Sequence, residues 1–197
     1  MRADLEIDDR EFDQILPARY RLLAKLHWTP IQVARMIARQ VGSESSQSFI
    51  DIGSGVGKLC ILLSFLTKMK IFVIEQRKSL HDVAQCIVKT NKIERVELNC
   101  GNMMDINWEK FDIFFLFNPF HEHKLSSNVF AIDQDINLDP ELYKRYARFV
   151  EKRIQSLPAG KHLVTLEGFG GKVPKSWRLI SSEPFDDDRL NHWRKVY

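Results

Sequence analysis

A glycine loop between a strand and a helix constrains this chain more than any other feature. Residues 48–52 form a short apolar run, residues 53–57 read Gly-Ser-Gly-Val-Gly, and residues 58–66 are again mostly apolar. The glycines permit a tight turn and let the backbone approach a ligand closely. A helix that begins near Gly57 would also direct the positive end of its dipole to this place. The pattern therefore predicts a ligand site between the first strand of a sheet and the next helix.

The rest of the chain alternates between short apolar strands and helices. Further strands are predicted over 71–74, 96–99, 111–117 and 162–166, with helices over 80–90 and 140–157. This alternation indicates a parallel sheet covered on both faces. Residues 177–182 and 192–196, joined by a polar turn, predict an antiparallel C-terminal hairpin. The expected fold is α/β, Rossmann-like and doubly wound, with a mostly parallel sheet whose ligands bind at the carboxyl ends of the strands.

The first 47 residues are expected to precede this core as a helical cap. Residues 1–13 are acidic and predict a flexible lead-in. A helix follows over 15–26, and a second one over 31–41 with Thr29 as its N-cap. The predicted organisation is therefore a lead-in and cap over 1–47 and a catalytic core over 48–197.

Bulk properties narrow the class of protein. The 197 residues fit one domain, and the net charge of +3 is too small to demand nucleic acid as a partner. No apolar run approaches the roughly 20 residues that span a bilayer. Cys60, Cys86 and Cys100 show no CxxC spacing, which favours free, buried thiols and a cytoplasmic location.

Basic residues concentrate in two regions. Five bases and no acid lie between residues 17 and 43, and Lys144, Arg148 and Lys152, with Arg145 beside them, share one face of a predicted helix. One interpretation is a solvated helix face. The other is contact with an acidic protein or a nucleic acid.

Two acids follow the first two predicted strands. A dinucleotide fingerprint, G-x-G-x-x-G, would place glycine at position 58, where this chain has lysine. Asp51, just before the glycines, would repel a pyrophosphate and suits a ligand that carries an ammonium group. Glu75, at the end of the next strand, could accept both hydroxyl groups of a ribose.

This arrangement resembles the class I, Rossmann-like methyltransferases that depend on S-adenosylmethionine (SAM). Residues 51–57 resemble their first motif, and Glu75 resembles their ribose-binding acid. The resemblance implies a seven-stranded sheet, SAM as the cofactor and direct attack on the sulfonium methyl group. It assigns cofactor binding to Asp51, Gly53, Ser54, Gly55, Gly57 and Glu75.

The same resemblance places the adenine ring near residues 100–105. The side-chain carbonyl of Asn102 could accept a hydrogen bond from the adenine amino group. Met103 could pack on the face of the ring. Asp105 is an alternative polar contact or only a loop cap.

Asn118, Pro119 and Phe120 follow the most apolar strand. They are similar to the (Asp/Asn)-Pro-Pro-aromatic signature of methyltransferases that act on amino nitrogens, with one proline absent. The resemblance implies that they hold the acceptor beside the methyl group. The structural alternative is a strand stop, because proline cannot extend the ladder and asparagine favours turns.

Neighbouring residues carry further expectations. His121 and His123 could supply a general base or be exposed loop residues, and a metal site would need more ligands than the sequence shows. Residues 124–139 form a long polar connection of the kind that often covers a substrate. Because N-terminal helices of this family close over SAM, Thr29 and Trp28 are expected to line the pocket, although Trp28 and Tyr20 could simply staple two helices together.

The predicted function is methyl transfer from SAM to an acceptor that the sequence does not identify. The basic helices and Asn118–Pro119–Phe120 favour an amino nitrogen of a protein or nucleic acid, without a metal or a membrane. Two alternatives remain open at this point: a NAD-binding oxidoreductase and a SAM-binding scaffold without catalytic activity.

Overall fold

The computed structural model describes residues 7–41, 47–124, 132 and 138–197. Within these ranges, helices surround a seven-stranded sheet. The elements in chain order are α1 (Asp9–Asp13), α2 (Ala18–Leu22), α3 (Ala24–His27), α4 (Ile31–Val41), β1 (Ser48–Ile52), α5 (Lys58–Leu66), β2 (Lys70–Glu75), α6 (Lys78–Thr90), β3 (Val96–Cys100), β4 (Ile113–Phe117), α7 (Pro140–Ser156), β5 (His162–Leu166), β6 (Trp177–Phe185) and β7 (Asp188–Lys195). Short 3-10 turns occupy Trp108–Lys110 and His121–Lys124.

The strand order is β3-β2-β1-β4-β5-β7-β6. Strands β1 to β5 run parallel, whereas β7 pairs antiparallel with β5 and β6 pairs antiparallel with β7. Strand β1 lies between β2 and β4, so the order reverses there. The carboxyl ends of these three strands therefore frame the crevice in which ligands of such sheets bind. The predicted fold class is confirmed.

The central strands are buried on both faces, which explains their nearly continuous apolar sequences. Phe49 and Phe115 pack with helices α4, α5 and α6, and Ile50 and Phe114 pack with α7 on the opposite face. This division follows from the alternation of side chains along a strand. The sheet is thus the middle of three layers, and its loops are held from both sides.

Two predicted elements have different limits. The helix predicted over 15–26 is divided into α2 and α3, and α2 begins only after Pro17, which cannot donate a backbone hydrogen bond. The hairpin strands are longer than predicted, because β6 continues to Phe185 and β7 begins at Asp188. The connection is therefore a two-residue turn, in which Asp186 has a φ of +47°.

The described part of the acidic segment, residues 7–13, is ordered by contacts instead of forming the flexible lead-in that the composition predicts. Asp8 and Glu11 form a reciprocal capping box at the start of α1. Phe12 is buried in the core, and Asp9 and Asp13 each lie 2.7 Å from the Nζ atom of Lys58. Because Lys58 is the first residue of α5, the acids dock α1 against the helix that follows the glycine loop.

The cysteines were predicted to be buried, and this is correct for Cys60 alone. Cys86 lies on the outer side of α6 and Cys100 at the end of the edge strand β3, so both are exposed. None of the helices in the described part of the chain combines the length and apolar composition that a bilayer crossing requires.

Candidate active site

A cavity of about 460 Å³ opens at the carboxyl ends of β1, β2 and β4. Its size falls within the range of small-molecule sites. The N-terminal helices contribute Leu26, His27 and Trp28 to the wall, and α7 contributes Tyr146. Ten residues that the sequence predicts for the site line this cavity: Trp28, Gly53, Gly55, Glu75, Asn102, Met103, Asn118, Pro119, Phe120 and His121.

The glycine loop is shaped by close packing as well as by its turn. Gly53 and Gly55 have φ angles of +79° and +59°, which side chains rarely adopt. A Cβ atom on Gly53 would lie 2.7 Å from the Cβ of Pro119, and one on Gly55 would lie 2.6 Å from the ring of Trp28. The glycines therefore allow Pro119 and Trp28 to pack directly on the loop. Pro119 brings the predicted acceptor motif against it, and Trp28 brings the N-terminal helices against it.

The backbone amides of the loop are engaged within the protein. The amide of Gly53 donates to the carbonyl oxygen of Ile74 at 2.9 Å, and the amide of Gly55 donates to the carboxylate of Glu75 at 2.9 Å. The amide of Gly57 donates back to Ser54. A phosphate-binding loop instead directs such amides at its ligand. This loop is therefore unsuited to a pyrophosphate.

Asp51 lies behind the loop instead of on the cavity wall. It is 3% exposed, and the thiol of Cys60 donates to its Oδ2 atom at 3.5 Å. Burial raises the pKa of Asp51 to about 7, and the nearby charge of Glu75 adds to the rise. The direct contact with an ammonium group that the sequence predicts finds no support in this position, because the carboxyl group faces α5.

The cavity wall is acidic. Among the described lining residues it carries three carboxylates, Glu75, Glu122 and Glu167, and one guanidinium, Arg77. Glu75 accepts hydrogen bonds from the amides of Gly55 and Arg77, yet burial raises its pKa. The backbone amide of Gln76 also bonds to this carboxylate, which leaves about one acceptor position for a ligand hydroxyl. The surplus of carboxylates favours a cationic ligand over a phosphorylated one.

Three further predicted site residues, like Asp51, are not among the described residues that line the cavity: Ser54, Gly57 and Thr29. The buried hydroxyl of Ser54 has no hydrogen-bond partner among the described residues, an arrangement that calls for a ligand or a water. Gly57 caps α5, and Thr29 is buried in the cap. The amide of Ile31, at the start of α4, donates to the side chain of Asp9. Asp9 of α1 therefore shares the capping role that the sequence predicts for Thr29.

A polar network closes the side of the cavity next to β3. The side-chain amide of Asn102 donates to Gln76 and to the hydroxyl of Tyr146, and that hydroxyl donates to Gln76 at 3.3 Å. The carbonyl of Asn102, predicted to meet adenine, accepts the amide of Met104 at 2.9 Å and keeps one lone pair. Met103 presents an apolar surface to the cavity beside this network.

Asn118 ends β4 in a left-handed conformation, with a φ of +37°. Its backbone amide donates to Gly168 at 2.9 Å, which ties it to the loop after β5. Its side-chain nitrogen lies 3.1 Å from Nδ1 of His121 and donates to Glu167 at 3.3 Å. Phe120 is buried, and its ring centroid lies 5.3 Å from that of Tyr146. The predicted acceptor motif therefore borders the cavity as a group.

His123 does not match the exposed loop residue that the sequence suggests. It is 4% exposed, and its Nδ1 atom accepts the amide of Asp139 at 3.2 Å, which holds the start of α7. Burial lowers the pKa of His123. The predicted substrate cover over 124–139 lies largely outside the described residues. Ile132, which is described, accepts a hydrogen bond from Arg19 and donates one to Glu122.

Sequence reasoning missed several polar residues of the cavity. Arg77 pairs with Glu122, whose Oε1 atom lies 3.9 Å from His27. Gln76, Tyr146 and Glu167 also line the wall. Glu167 directly follows a predicted strand, and Gln76 lies two residues after another. Their positions at strand ends could therefore have been recognised from the sequence. Tyr146 gave no such signal, because its role depends on how α7 packs. The described residues contain no group of three or more potential metal ligands.

The fold and site together define a class of protein. The strand order of the sheet and the acidic crevice fit a nucleoside ligand that carries positive charge. The glycine loop, whose amides bond within the protein, does not offer a phosphate-binding site. Solved structures show the same fold. An RNA methyltransferase from Salinibacter ruber, in complex with S-adenosylhomocysteine (SAH), matches with a TM-score of 0.62 and 16% identity over 85% of this chain and 93% of that one.

Two further solved structures have the same fold with different names. The mitomycin 7-O-methyltransferase MmcR matches with a TM-score of 0.62 and 13% identity over 94% of this chain and 60% of that one. A variant of MtNAS in complex with SAM matches with a TM-score of 0.61 and 12% identity over 95% and 71%. No curated protein matches the chain at a significant level.

The chain is a SAM-dependent methyltransferase of the class I, Rossmann-like type. A family model described as "Histone methylation protein DOT1" matches residues 28–184, and the chain belongs to this family. The match begins at Trp28 and includes the whole cavity-forming sheet as far as β6. A nicotinamide-dependent oxidoreductase, the alternative left open by the sequence, is therefore not supported.

Proposed function

We propose that this methyltransferase transfers the sulfonium methyl group of SAM to an amino nitrogen of a macromolecule. The orientation of the Asn118 amide carries the proposal. A carboxylate accepts but does not donate, so Glu167 fixes the NH₂ end of Asn118 toward itself. The Oδ1 atom of Asn118 has no partner among the described residues and is left to accept a hydrogen bond from an N–H group at the cavity wall.

The cofactor would occupy the space beside the glycine loop. Gly53, Gly55 and the Glu75 carboxylate would take the ribose, and Met103 with Asn102 would take the adenine. The acidic wall and the unpaired hydroxyl of Ser54 fit a cationic ligand with polar groups at the loop. Asp51, behind the loop, would act through its charge, and Gly57 through the start of α5. Thr29 would support Trp28 without direct contact.

The bound cofactor supplies an electrophilic methyl group, and the residues of the chain orient the acceptor and exclude water. Trp28 and Leu26 cover the cavity from the cap, and Phe120 closes it from below. Pro119 abuts Gly53 and directly follows Asn118, so an acceptor held by this pair would meet the cofactor at this edge. Alignment and desolvation of this kind can lower a barrier by about 7–11 kcal/mol. In this proposal the Nδ1 atom of His121 is hydrogen-bonded to the side chain of Asn118, so this atom does not act as a base.

A macromolecular acceptor is supported by the surface and by the family. Lys144, Arg145, Arg148 and Lys152 are exposed on α7, the helix that also contributes Tyr146 to the cavity. Arg19, Arg21 and Arg39 of the first basic region bond to residues outside their own helices, whereas the bonds of Lys144 and Arg148 stay within α7. The description of the family, histone methylation, favours a protein over a nucleic acid as the acceptor. The free thiols support the cytoplasmic location that we also propose.

Transfer of a labelled methyl group tests this function. Cell extract is incubated with the enzyme and methyl-tritiated SAM. Separate portions of the labelled product are then treated with protease, with nuclease or with mild base. We expect protease-sensitive label that survives base, as an N-methyl group does and a methyl ester does not. Asn118→Ala should lower turnover about 100-fold, because a misplaced acceptor loses alignment, while the Kd of SAH changes less than threefold. Label only in small molecules, or full activity of Asn118→Ala, would contradict the proposal.

A further inference from the structure

Two residues without a glycine's freedom adopt left-handed backbone conformations at the edge of the cavity. Asn118 has a φ of +37° at the end of β4, and Glu167 has a φ of +54° directly after β5. Such conformations cost about 1–3 kcal/mol each and persist where the surrounding structure imposes them. Because β4 and β5 are parallel neighbours, their carboxyl ends bring the two residues side by side.

The backbone and the side chains of these residues are coupled. The amide of Asn118 donates to the carbonyl of Gly168, the residue after Glu167, at 2.9 Å. The side-chain NH₂ group of Asn118 then reaches the Oε2 atom of Glu167 at 3.3 Å and Nδ1 of His121 at 3.1 Å. Both hydrogens of this NH₂ group are thus directed away from the position of the Oδ1 atom.

Only one orientation of the Asn118 amide satisfies this environment. If the amide were rotated by 180°, Oδ1 would face the carboxylate of Glu167, and two acceptors would be in contact. Glu167 therefore distinguishes between two orientations that are otherwise similar in shape. His121 by itself does not, because an imidazole can present either a donor or an acceptor nitrogen.

We propose that Glu167 is a positioning residue, which holds the Asn118 amide so that its Oδ1 atom is presented to the nitrogen that receives the methyl group. The proposal rests on the proposed function and adds to it a residue that the sequence analysis did not assign to the site. Glu167 acts here through its ability to accept a hydrogen bond, and its negative charge is secondary because its side chain is exposed.

A cofactor analogue tests this without knowledge of the acceptor. Sinefungin carries a primary amine where SAM carries its methyl group, so its N–H groups extend from this position toward the side on which the acceptor nitrogen, and with it Oδ1 of Asn118, would lie. SAH lacks this amine but is otherwise closely similar. The ratio of the two Kd values, measured by calorimetry, therefore reports on the contact with Asn118, while the Kd of SAH reports on the cofactor site alone.

We expect the wild-type protein to bind sinefungin about tenfold more tightly than SAH, as a hydrogen bond to a charged donor implies. Glu167→Ala should reduce this preference to the level of Asn118→Ala, and Glu167→Gln should retain it within about threefold, because the glutamine carbonyl can still accept from Asn118. Glu141→Ala, which removes an exposed carboxylate paired with Lys144, serves as the control and should leave the ratio unchanged.

The outcomes are distinct. Equal loss in Glu167→Gln and Glu167→Ala would assign the effect to charge and overturn the positioning role. An unchanged ratio in Glu167→Ala, or no preference for sinefungin in the wild-type protein, would also overturn it. Failure of the wild-type protein to bind SAH would instead refute the cofactor site of the proposed function. Thermal melting of each variant shows whether the fold is retained.

Discussion

At the scale of single residues, Asp51 illustrates how position changes the role of a motif acid. It lies behind the glycine loop, 3% exposed, with Cys60 as its hydrogen-bond donor. Its carboxyl group is not among the groups that line the cavity, but a buried charge still acts over several ångströms because the protein interior screens it weakly. A carboxyl with a pKa of about 7 is only partly ionised at neutral pH. Its charge should therefore respond to a cation in the cavity.

We predict that the affinity for SAM rises as the pH increases through 7. A positively charged ligand favours the ionised form of Asp51, so binding lowers the pKa of this group and releases a proton. Titration calorimetry at pH 6, 7 and 8, in buffers of different ionisation enthalpy, measures both effects. Asp51→Asn should remove the proton release and most of the pH dependence. It should be at least as stable as the wild-type protein at pH 8, since a buried charge is absent.

An affinity for SAM that is equally pH-dependent in Asp51→Asn would show that another group titrates. In that case Glu75 is the candidate, because burial raises its pKa and it lines the cavity.

At the scale of elements, the short helix α1 depends on one buried cation. Lys58 is 3% exposed, and its Nζ atom lies 2.7 Å from both Asp9 and Asp13. Asp9 also accepts the backbone amide of Ile31 at the start of α4. These contacts join α1, α4 and α5 next to the glycine loop, so the acidic N-terminal sequence is explained by docking instead of by solubility.

We predict that Lys58→Met lowers the free energy of unfolding by about 3 kcal/mol, because it leaves two carboxylates without their cation, one of them largely buried. Urea denaturation measures this change. Lys78→Met is the control, since Lys78 pairs with Asp82 on the exposed surface of α6, where solvent screens the ion pair, and its loss should change the free energy of unfolding far less. Equal losses in the two variants would show that the docking of α1 adds little.

Strands β5 and β7 share a histidine pair in which His192 is 4% exposed and its Nε2 atom lies 2.8 Å from Nδ1 of His162. Burial, and secondarily the charge of His162, lowers the pKa of His192 to about 4. In the unfolded chain a histidine has a pKa near 6.5. Between these values the unfolded state binds a proton that the folded state does not.

We therefore predict that stability is lost as the pH falls from about 6.5 to 4, by up to about 1.4 kcal/mol per pH unit for this one group. Urea denaturation at pH 7, 6 and 5 measures the slope, and His192→Gln should reduce it. The pKa of His123 is also lowered, but His123 is present in both the wild-type protein and His192→Gln. The difference between their two slopes therefore reports on His192. Identical slopes would contradict the prediction.

At the scale of the whole molecule, the cap and the sheet share one core. Phe12 and Trp28 of the N-terminal helices belong to the same buried cluster as Phe49 of β1 and Leu190 of β7. The division into residues 1–47 and 48–197 stays a prediction, but the described part of the cap packs into the same core as the sheet. Parts that share one core are expected to unfold cooperatively.

We predict a single calorimetric unfolding transition. SAM at 100 times its Kd should add about 2.7 kcal/mol to stability, which raises the Tm by about 5–10 °C for a chain of this length. NAD at the same concentration is the control and should leave the Tm unchanged. Two separate transitions would support the predicted division, and a shift with NAD but not with SAM would contradict the cofactor assignment.

The sequence by itself determined the fold class and the strand ends at which the ligand binds, and its resemblance to a known family indicated the cofactor. These follow from local patterns: apolar runs of strand length, helical periodicity, and glycines and acids at the ends of strands. Gly53, Gly55, Glu75 and Asn118 are found by such patterns because parallel strands place their carboxyl ends at one edge.

Only the tertiary structure decided which polar groups meet. Asp51 was expected on the cavity wall and lies behind it, because consecutive residues of β1 point to opposite faces of the sheet and the register decides which face Asp51 occupies. The contact of Glu167 with Asn118 joins residues 49 positions apart, and the docking of α1 joins Asp13 to Lys58 across 45 positions. No local pattern specifies such contacts, because they depend on how whole elements pack against one another.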